Sequence, residues 1–235
     1  MDSGEGKGEM SKLKTNSGYE IAFSTNVGSH MWKMNHENSD TDVFECYFLP
    51  TREILMGRLP NSHFSQDKEN KVDTQVQEIS KVTAEIIKSN INYIGYVFSP
   101  IVLHEESNFL TEYRKLAIKV ISKQVYNSVR GMAEHNVRKY EKEMGEGQTP
   151  LMEERKWNKI LRVIQFGIHL MRNGEIDFAP VKSGSADVYT ASMIALEYTR
   201  KNGALQETPY QEDVDNLWDF VVEERIKRLP QRGSE

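Results

Sequence analysis

The fold is decided by two stretches of sequence, Tyr19-Glu20-Ile21-Ala22-Phe23-Ser24 and, further on, Ser39-Asp40-Thr41-Asp42-Val43-Phe44-Glu45-Cys46-Tyr47-Phe48-Leu49. The first stretch alternates between apolar and polar side chains, which predicts a β-strand. Residues 41–49 are rich in aromatic and apolar side chains and stop at Pro50, which predicts a second strand. Gly28 to Ser39, between them, leaves room for a turn and a short helix.

Working outward, residues 1–15 are rich in Gly, Ser, Lys and Glu, which predicts a mobile tail. A loop is expected over residues 57–70 because Gly, Pro, Asn and charged residues cluster there. Residues 71–76 predict a short third strand. Apolar residues from Val76 to Ile87 then recur at helical spacing, and Ser99-Pro100 closes that unit.

From Asn108 onward the pattern is helical, and one helix is expected to run towards Tyr140 before a break at Gly145, Gly147 and Pro150. A strong apolar stripe from Trp157 to Met171 predicts a second helix that ends at Gly174. A third helix is expected over residues 186–200. The last helix has Thr208 as its expected N-cap, Pro209 in the first helical position and Gln211 closing a capping box.

These patterns predict an α+β protein. An N-terminal α/β domain with a small mixed sheet is expected over residues 16–102, and a C-terminal helical domain over residues 103–229. Residues 230–235 form a second short tail. A cleft is expected between the two domains, where ligand sites commonly form.

Composition limits the class of protein. The chain has 235 residues, 38% of them hydrophobic, which suffices for one large domain or two small ones. No apolar run approaches the ~18 residues needed to cross a bilayer, so a cytoplasmic protein without a membrane partner is expected. The single cysteine, Cys46, excludes an intrachain disulfide framework and a cysteine-based zinc site. The net charge of −5 argues against nucleic acid wrapping the whole surface.

Asp40 and Asp42 are the first candidates for chemistry. Side chains two residues apart on a strand point to the same face, so the two carboxylates are expected to project together. Adjacent carboxylates repel unless a cation neutralises them, and Mg²⁺ takes carboxylate oxygens together with substrate phosphates. Asp73, on the predicted third strand, is the best-placed third carboxylate. The alternative is a solvated acidic surface cluster.

Gly28 and Ser29 follow the first strand. Glycine allows close approach of the backbone to a phosphate, and amides at the start of a helix favour anionic oxygens. A strand, a Gly-Ser turn, a short helix and a strand with Asp-x-Asp together indicate a phosphate and metal site.

This combination of Gly28-Ser29 with Ser39-Asp40-Thr41-Asp42 resembles the signature of the DNA-polymerase-beta-type nucleotidyltransferase superfamily. More narrowly, the chain resembles the RNA-repair-pathway nucleotidyltransferase family. The similarity continues through Asp73 and covers most of residues 19–229; further matching stretches are Lys88-Ser89-Asn90, Phe98-Ser99-Pro100, Lys156-Trp157-Asn158-Lys159-Ile160-Leu161-Arg162 and Leu170-Met171-Arg172-Asn173-Gly174-Glu175.

The resemblance implies an enzyme that moves a nucleoside monophosphate from a nucleoside triphosphate such as ATP to an acceptor hydroxyl, with Mg²⁺ or with Mn²⁺ in its place. Asp40, Asp42 and Asp73 would be metal ligands and catalytic residues, with Asp73 activating the acceptor. Gly28 and Ser29 would hold the triphosphate. An RNA end is the acceptor that the family's repair context implies.

Two positions depart from the family pattern. His30 stands where the family usually has Arg, and Lys33 where it usually has Gly. Lys33 supplies a replacement positive charge, so both are candidates for nucleotide binding. The departures leave open a non-catalytic nucleotide- or RNA-binding module. Two other acceptors also stay open: a protein side chain, as in nucleotidylating antitoxins, and a small molecule.

Basic residues further along the chain are the remaining candidates. Lys115, Lys119 and Lys123 recur every four residues on one predicted helix, and Arg130 follows. Lys123 and Arg130 are expected to reach the cleft and bind nucleotide; a solvated charged face is the alternative. For Arg162 a surface position is favoured. Trp157 and Trp218 lie on apolar stripes, which favours core packing over base stacking. The sequence leaves the oligomeric state open.

Overall fold

The computed structural model describes residues 14–15, 18–58, 62–143, 150–179, 181 and 184–229. In this part of the chain five strands form one sheet in the order β3-β4-β2-β1-β5. Strands β2 and β4 are parallel, and the other neighbours are antiparallel. The expected mixed sheet is therefore confirmed. The strands are β1 (Ile21–Asn26), β2 (Thr41–Tyr47), β3 (His63–Asp67), β4 (Val72–Glu78) and β5 (Val102–Glu105).

Helices dominate the chain after β5, as expected for the α+β class. The described helices are α1 (Gly28–Met31), α2 (Thr51–Leu55), α3 (Ile79–Ile87), α4 (Ile91–Phe98), α5 (Phe109–Ala117), α6 (Val125–Glu143), α7 (Pro150–Asn173), α8 (Ala186–Asn202) and α9 (Gln211–Lys227), with a 3₁₀ turn at Ile118–Val120. Gly174 ends α7 with φ of +71°, which confirms its predicted role.

Strand β2 lies in the middle of the sheet, where aromatic packing holds it. Phe44 and Cys46 are fully buried on one face, and Phe44 stacks on Tyr96 of α4 with ring centroids 4.5 Å apart. Asp42 is two residues before Phe44 and shares its face. The core therefore ends at Asp42, which stands at the edge of the packed region.

Two strands, β3 and β5, and two helices, α2 and α4, were not predicted. Strand β3 falls in the expected loop; all five of its residues are exposed, so this edge strand lacks the buried alternation that marks a strand in sequence. Strand β5, at the other edge, has only four residues, none of them buried, so it also lacks an alternation of buried and exposed side chains. Helix α4 follows α3 after a break at Ser89, whose φ is +56° and whose side chain accepts the Ser122 N–H.

Two helix predictions are wrong in detail. The helix expected from Asn108 towards Tyr140 is interrupted after Ala117, because Val120 and Ile121 turn inward and are buried. The last helix begins at Gln211, two residues later than predicted, with Tyr210 at the N-cap and no side-chain cap. Thr208 therefore does not cap it. The predicted break at Gly145 and Gly147, residues 1–13 of the first tail and the tail at 230–235 lie outside the described residues.

One cluster of buried apolar side chains connects the sheet to the helices. It contains Phe23 and Phe44 from the sheet, Leu161 and Ile164 from α7, and Leu217 from α9. The cluster thus includes residues from both sides of the predicted boundary at residue 102, and the division into two domains stays a prediction. Trp157 is buried and packs edge-on against Tyr140, as the core-packing interpretation expects.

Among the helices of the described residues, none combines the length and the apolar character needed to span a membrane.

Candidate active site

Two aspartates face each other across the parallel strands. The register pairs Asp42 of β2 directly with Asp73 of β4, and residues paired in this way point to the same face of the sheet. Gln66 of β3 donates a hydrogen bond of 3.3 Å to Asp73 Oδ2. Asp40 comes just before β2 and adds a third negative charge. Burial, then Asp73 and then Asp40 raise the pKa of the Asp42 carboxyl above its ordinary value, while His30 and Arg162 partly oppose the shift.

Gly28 is fitted against the Asp42 side chain. Its φ is +60°, in the left-handed region, and the Val27 N–H donates to the Asp42 carbonyl at 2.8 Å. A Cβ on Gly28 would lie 1.8 Å from Asp42 Oδ2. Because two atoms cannot approach that closely, only glycine permits this contact between the turn and the carboxylate.

The two departures from the family pattern occupy different surroundings. Lys33 adopts φ of +54° and its N–H donates to the His30 carbonyl, so the turn keeps a left-handed residue where glycine is usual. Lys33 lines the larger of two cavities beside Asp42. His30 lines neither cavity, and its Nε2 is buried without a hydrogen-bond partner.

The larger cavity has a volume of about 750 Å³. One wall carries Gly28, Ser29 and Asp40 from the turn and the start of β2. A polar face of α7 also lines it, with side chains three and four residues apart along the helix; these are Arg155, Lys156, Asn158, Lys159 and Arg162. Negative and positive groups therefore line the same cavity, which suits a charged ligand.

The smaller cavity, of about 220 Å³, is also lined by Asp42. Asp73 and Gln75 of β4 line it with apolar and aromatic residues from β3, α4 and α7. Three residues line both cavities: Gly28, Asp42 and Arg162. The two spaces thus meet at Asp42.

Arg162 was expected at the surface, and that expectation is wrong. Its guanidinium lines both cavities 5.5 Å from the centroid of the Trp32 ring, and its Nε is buried without a hydrogen-bond partner. Burial lowers the pKa of Arg162 to about 10, and Asp42 opposes this shift. The helical spacing of Asn158, Lys159 and Arg162 within an otherwise apolar stripe was the signal in the sequence.

Lys123 and Arg130 are not brought to this site. Lys123 follows the 3₁₀ turn and pairs with Glu207 at 3.0 Å, while Arg130 lies on α6 and pairs with Glu134 at 2.7 Å. Neither residue lines either cavity. The common helical face expected for Lys115, Lys119 and Lys123 is wrong, because α5 ends at Ala117.

The carboxylates do not form a ready-made cage for a metal ion. Within the described residues, no three His, Cys, Asp or Glu side chains are grouped closely enough to hold a metal. The expectation that Asp40, Asp42 and Asp73 act together as ligands stays a prediction.

This arrangement places cationic side chains and a Gly-Ser turn beside the paired residues Asp42 and Asp73. The chain belongs to the RNA repair pathway DNA polymerase beta family, which matches residues 4–230. The resemblance drawn from Gly28-Ser29 and Asp40-Thr41-Asp42 is thereby confirmed. Membership indicates a nucleotidyltransferase of an RNA repair pathway.

A nucleotidyltransferase-like protein from Exiguobacterium sibiricum 255-15, whose crystal structure was determined at 1.90 Å resolution, is similar with a TM-score of 0.33. The sequences are 9% identical, and the similarity covers 88% of this chain and 69% of the other. That TM-score is too low to bear on the fold or the reaction. None of the curated proteins is significantly similar to this chain.

Proposed function

We propose that this chain is a Mg²⁺-dependent nucleotidyltransferase that moves a nucleoside monophosphate from a nucleoside triphosphate to a hydroxyl at an RNA end. The observation that carries the proposal is the position of Asp42 between two cavities of opposite character. The larger cavity suits the triphosphate, and the smaller one opens beside Asp73. A protein that meets RNA and triphosphates in this way is expected in the cytoplasm.

Charge and size favour the larger cavity as the triphosphate site. Its volume of about 750 Å³ lies within the roughly 300–1,000 Å³ of ligand pockets. Lys33, Arg155, Lys159 and Arg162 place positive charge along it. Cationic side chains and backbone amides at a Gly-Ser turn are the groups that bind phosphate oxygens.

In the proposed reaction, the acceptor hydroxyl oxygen forms a bond to the α-phosphorus. The bond from that phosphorus to the oxygen bridging to the β-phosphate breaks, and pyrophosphate leaves with the bonding pair. Asp73 takes the hydroxyl proton and later releases it to water. The Gln66 hydrogen bond holds the Asp73 carboxylate beside Asp42 for this role.

The chemistry of the carboxylates fits a divalent cation. The raised pKa of Asp42 follows from burial and from two neighbouring carboxylates, a set of charges that a cation would relieve. Mg²⁺ commonly takes only one or two protein carboxylates and completes its shell with water and substrate phosphates. Asp42 with Asp40 or Asp73 would hold it, and when bound it would stabilise charge on the phosphate oxygens.

The direct test is incubation with each α-labelled triphosphate, Mg²⁺ or Mn²⁺, and an RNA pool. Wild type is expected to label RNA, and Asp42→Asn to lose about 10³-fold or more of the rate, the scale for removing a group that stabilises phosphoryl transfer. Glu45→Gln is the matched control, since Glu45 lies on the same strand but on its other face and lines neither cavity. It should keep the rate.

Other results would redirect the proposal. Label on a protein or a small molecule, in place of RNA, would replace the acceptor and keep the transfer reaction. Triphosphate binding without any labelled product would favour a nucleotide- or RNA-binding module, the alternative that His30 and Lys33 leave open. An Asp42→Asn variant as active as Glu45→Gln would refute the role of Asp42.

A further inference from the structure

The smaller cavity differs from the larger one in its chemistry. Among the residues that the structure describes, the charged ones lining it are Asp42, Asp73 and Arg162, and two of these, Asp42 and Arg162, also line the larger cavity. The rest of its wall is apolar or aromatic, with the amides of Gln75 and Asn92. A phosphate chain would find no further cation there, whereas a flat uncharged ring would find apolar walls and amide groups.

The geometry of phosphoryl transfer places the acceptor on this side. The attacking and leaving oxygens lie roughly in line through the phosphorus that is transferred. If the pyrophosphate leaves along Gly28 and Ser29, in the larger cavity, the attacking hydroxyl must approach the α-phosphorus from the side away from that turn. The smaller cavity shares Asp42 with the larger one and is lined by Asp73, which the larger one lacks, so it offers that approach.

Its volume limits what can enter. About 220 Å³ is below the roughly 300–1,000 Å³ of pockets that enclose a whole drug-sized ligand. The cavity therefore suits a single ring system attached to a longer molecule that continues outside. Tyr96 forms a fixed wall, because it stacks on Phe44 and its hydroxyl donates to Gln75 Oε1 at 3.0 Å.

Phe64 lines this cavity from the edge of the sheet. It lies on β3 opposite Gln75 in the strand register, and 64% of its surface is exposed. A phenyl ring that is mostly open to water and also lines a cavity contributes little to the folded core. It is well suited to stack on the face of a base, a contact worth about 1–3 kcal/mol per base when the aromatic residue is replaced by alanine.

We propose that the smaller cavity is an acceptor subsite: it receives the 3′-terminal nucleobase of a single-stranded RNA, with Phe64 stacked on the base and the terminal hydroxyls beside Asp73. This inference rests on the proposed transfer reaction for its orientation. The Gln75 and Asn92 amides both donate and accept hydrogen bonds, so the subsite accommodates more than one base.

The test measures binding without chemistry. A short single-stranded RNA with 2-aminopurine at its 3′ end is titrated with protein, Mg²⁺ and an α,β-methylene triphosphate analogue that cannot react. Stacking on Phe64 is expected to quench the fluorescence. Phe64→Ala should lose the quenching and weaken RNA binding about ten- to hundredfold, while Phe64→Trp should retain both. Affinity for the analogue should change by less than about twofold.

Tyr198→Ala is the matched control. Tyr198 is 65% exposed, close to the value for Phe64, and it lines neither cavity. Its replacement should leave quenching and both affinities unchanged. A second RNA with 2-aminopurine at an internal position should show less quenching than the 3′-terminal probe.

Three results would overturn the inference. If Phe64→Ala weakens binding of the triphosphate analogue and not of RNA, the cavity holds the base of the triphosphate. If Phe64→Ala behaves like Tyr198→Ala, Phe64 is not a stacking residue. If wild type transfers label to RNA but never quenches the terminal probe, the subsite is wrong and the transfer reaction stands. If the terminal probe is quenched in a way that depends on Phe64 but no label is ever transferred, the proposed reaction is refuted. The cavity would then remain a binding site for an RNA end.

Discussion

Two clusters of buried charged side chains in the described part of the chain differ in how their charges are paired. Under α9, Arg225 pairs with Glu78 at 2.5 Å, and Arg228 pairs with Glu106 at 2.6 Å and with Glu224 at 2.9 Å. We call this set the arginine seal. Each of its carboxylates has an arginine partner, and Arg225 also donates to the Leu49 carbonyl at 2.6 Å. The seal thus joins the last helix to the sheet.

Around Asp42 the charges are left incompletely paired. Burial and the negative charges of Asp73 and Asp40 raise the pKa of Asp42. The opposing cation, Arg162, has a buried Nε without a hydrogen-bond partner. In the seal each carboxylate has an arginine partner, although Arg228 Nε is likewise buried without a hydrogen-bond partner. Asp42 instead lies near two further carboxylates, which raise its pKa. Clustered, strained titratable groups of this kind mark functional sites more often than structural ones.

The largest expected effect comes from breaking the seal. Glu78 is 1% exposed, so Glu78→Gln leaves the buried Arg225 charge without its counterion. Removing one partner of a buried pair costs about 3–5 kcal/mol, which corresponds to a fall in Tm of roughly 10 °C for a chain of this size. Thermal and urea unfolding measure it. Glu112→Gln, which breaks the exposed pair with Lys115, should cost less than about 1 kcal/mol; equal losses would contradict a structural seal.

The next largest effect is expected from adding a side chain at Gly28, where the turn contacts the Asp42 carboxylate. Gly28→Ala would place a Cβ 1.8 Å from Asp42 Oδ2. The alanine would also have to adopt the φ of +60° that Gly28 has, which is unfavourable for a residue with a side chain. Because a displacement of about 1 Å in a reacting group can cost roughly 10²-fold, we expect a rate loss of that order in the labelling assay. Gly131→Ala, on α6 with nothing within 4 Å of the added Cβ, is the control. It should keep activity and gain about 0.5–1 kcal/mol of stability.

A change at Asp42 should act on stability in the opposite direction from a change in the seal. Since the pKa of Asp42 is raised in the folded protein, keeping it ionised costs free energy above that pKa. Below the ordinary value of 3.8 the carboxyl is protonated in both states and the cost disappears. We therefore expect Asp42→Asn to raise Tm at pH 7 while it abolishes transfer.

The pH series checks the sign of this effect. The difference in Tm between Asp42→Asn and wild type should shrink as the pH falls through the raised pKa of Asp42. It should vanish below about 4, where the Asp42 carboxyl is protonated in the folded and in the unfolded state. A variant less stable than wild type at pH 7 would mean that Asp42 is compensated within the chain, as the carboxylates of the seal are.

The smallest effect concerns cations outside the cavities. Lys123 is paired with Glu207 and lines neither cavity, so Lys123→Met should change the affinity for a triphosphate analogue by less than about twofold. Lys159→Met, which removes a cation from the larger cavity, should weaken it about tenfold, the scale of one hydrogen bond to a charged group. If Lys123→Met weakened triphosphate binding more than Lys159→Met did, Lys123 would bind nucleotide after all, as its sequence pattern predicted.

Much of the site followed from local pattern. The strand spacing of Asp40 and Asp42 and the glycine after β1 depend on only a few adjacent residues, and the same is true of the Gly174 helix end. Strands β3 and β5 were not predicted, because exposed edge strands carry no alternating apolar signal. Lys123 and Arg130 were chosen from an uninterrupted helical period, which the buried Val120 and Ile121 break.

By itself, the sequence determined the family, the α+β class and the acidic pair behind Gly28, because motif spacing and periodicity are properties of neighbouring residues. Only the tertiary structure decided that Asp73 faces Asp42, since the parallel register of β2 and β4 joins residues 31 positions apart. It also brought Arg162 of α7 and Phe64 of β3 to the cavity that Asp42 and Asp73 line. Their positions depend on how α7 and the edge of the sheet pack around Asp42, and no local pattern contains that information.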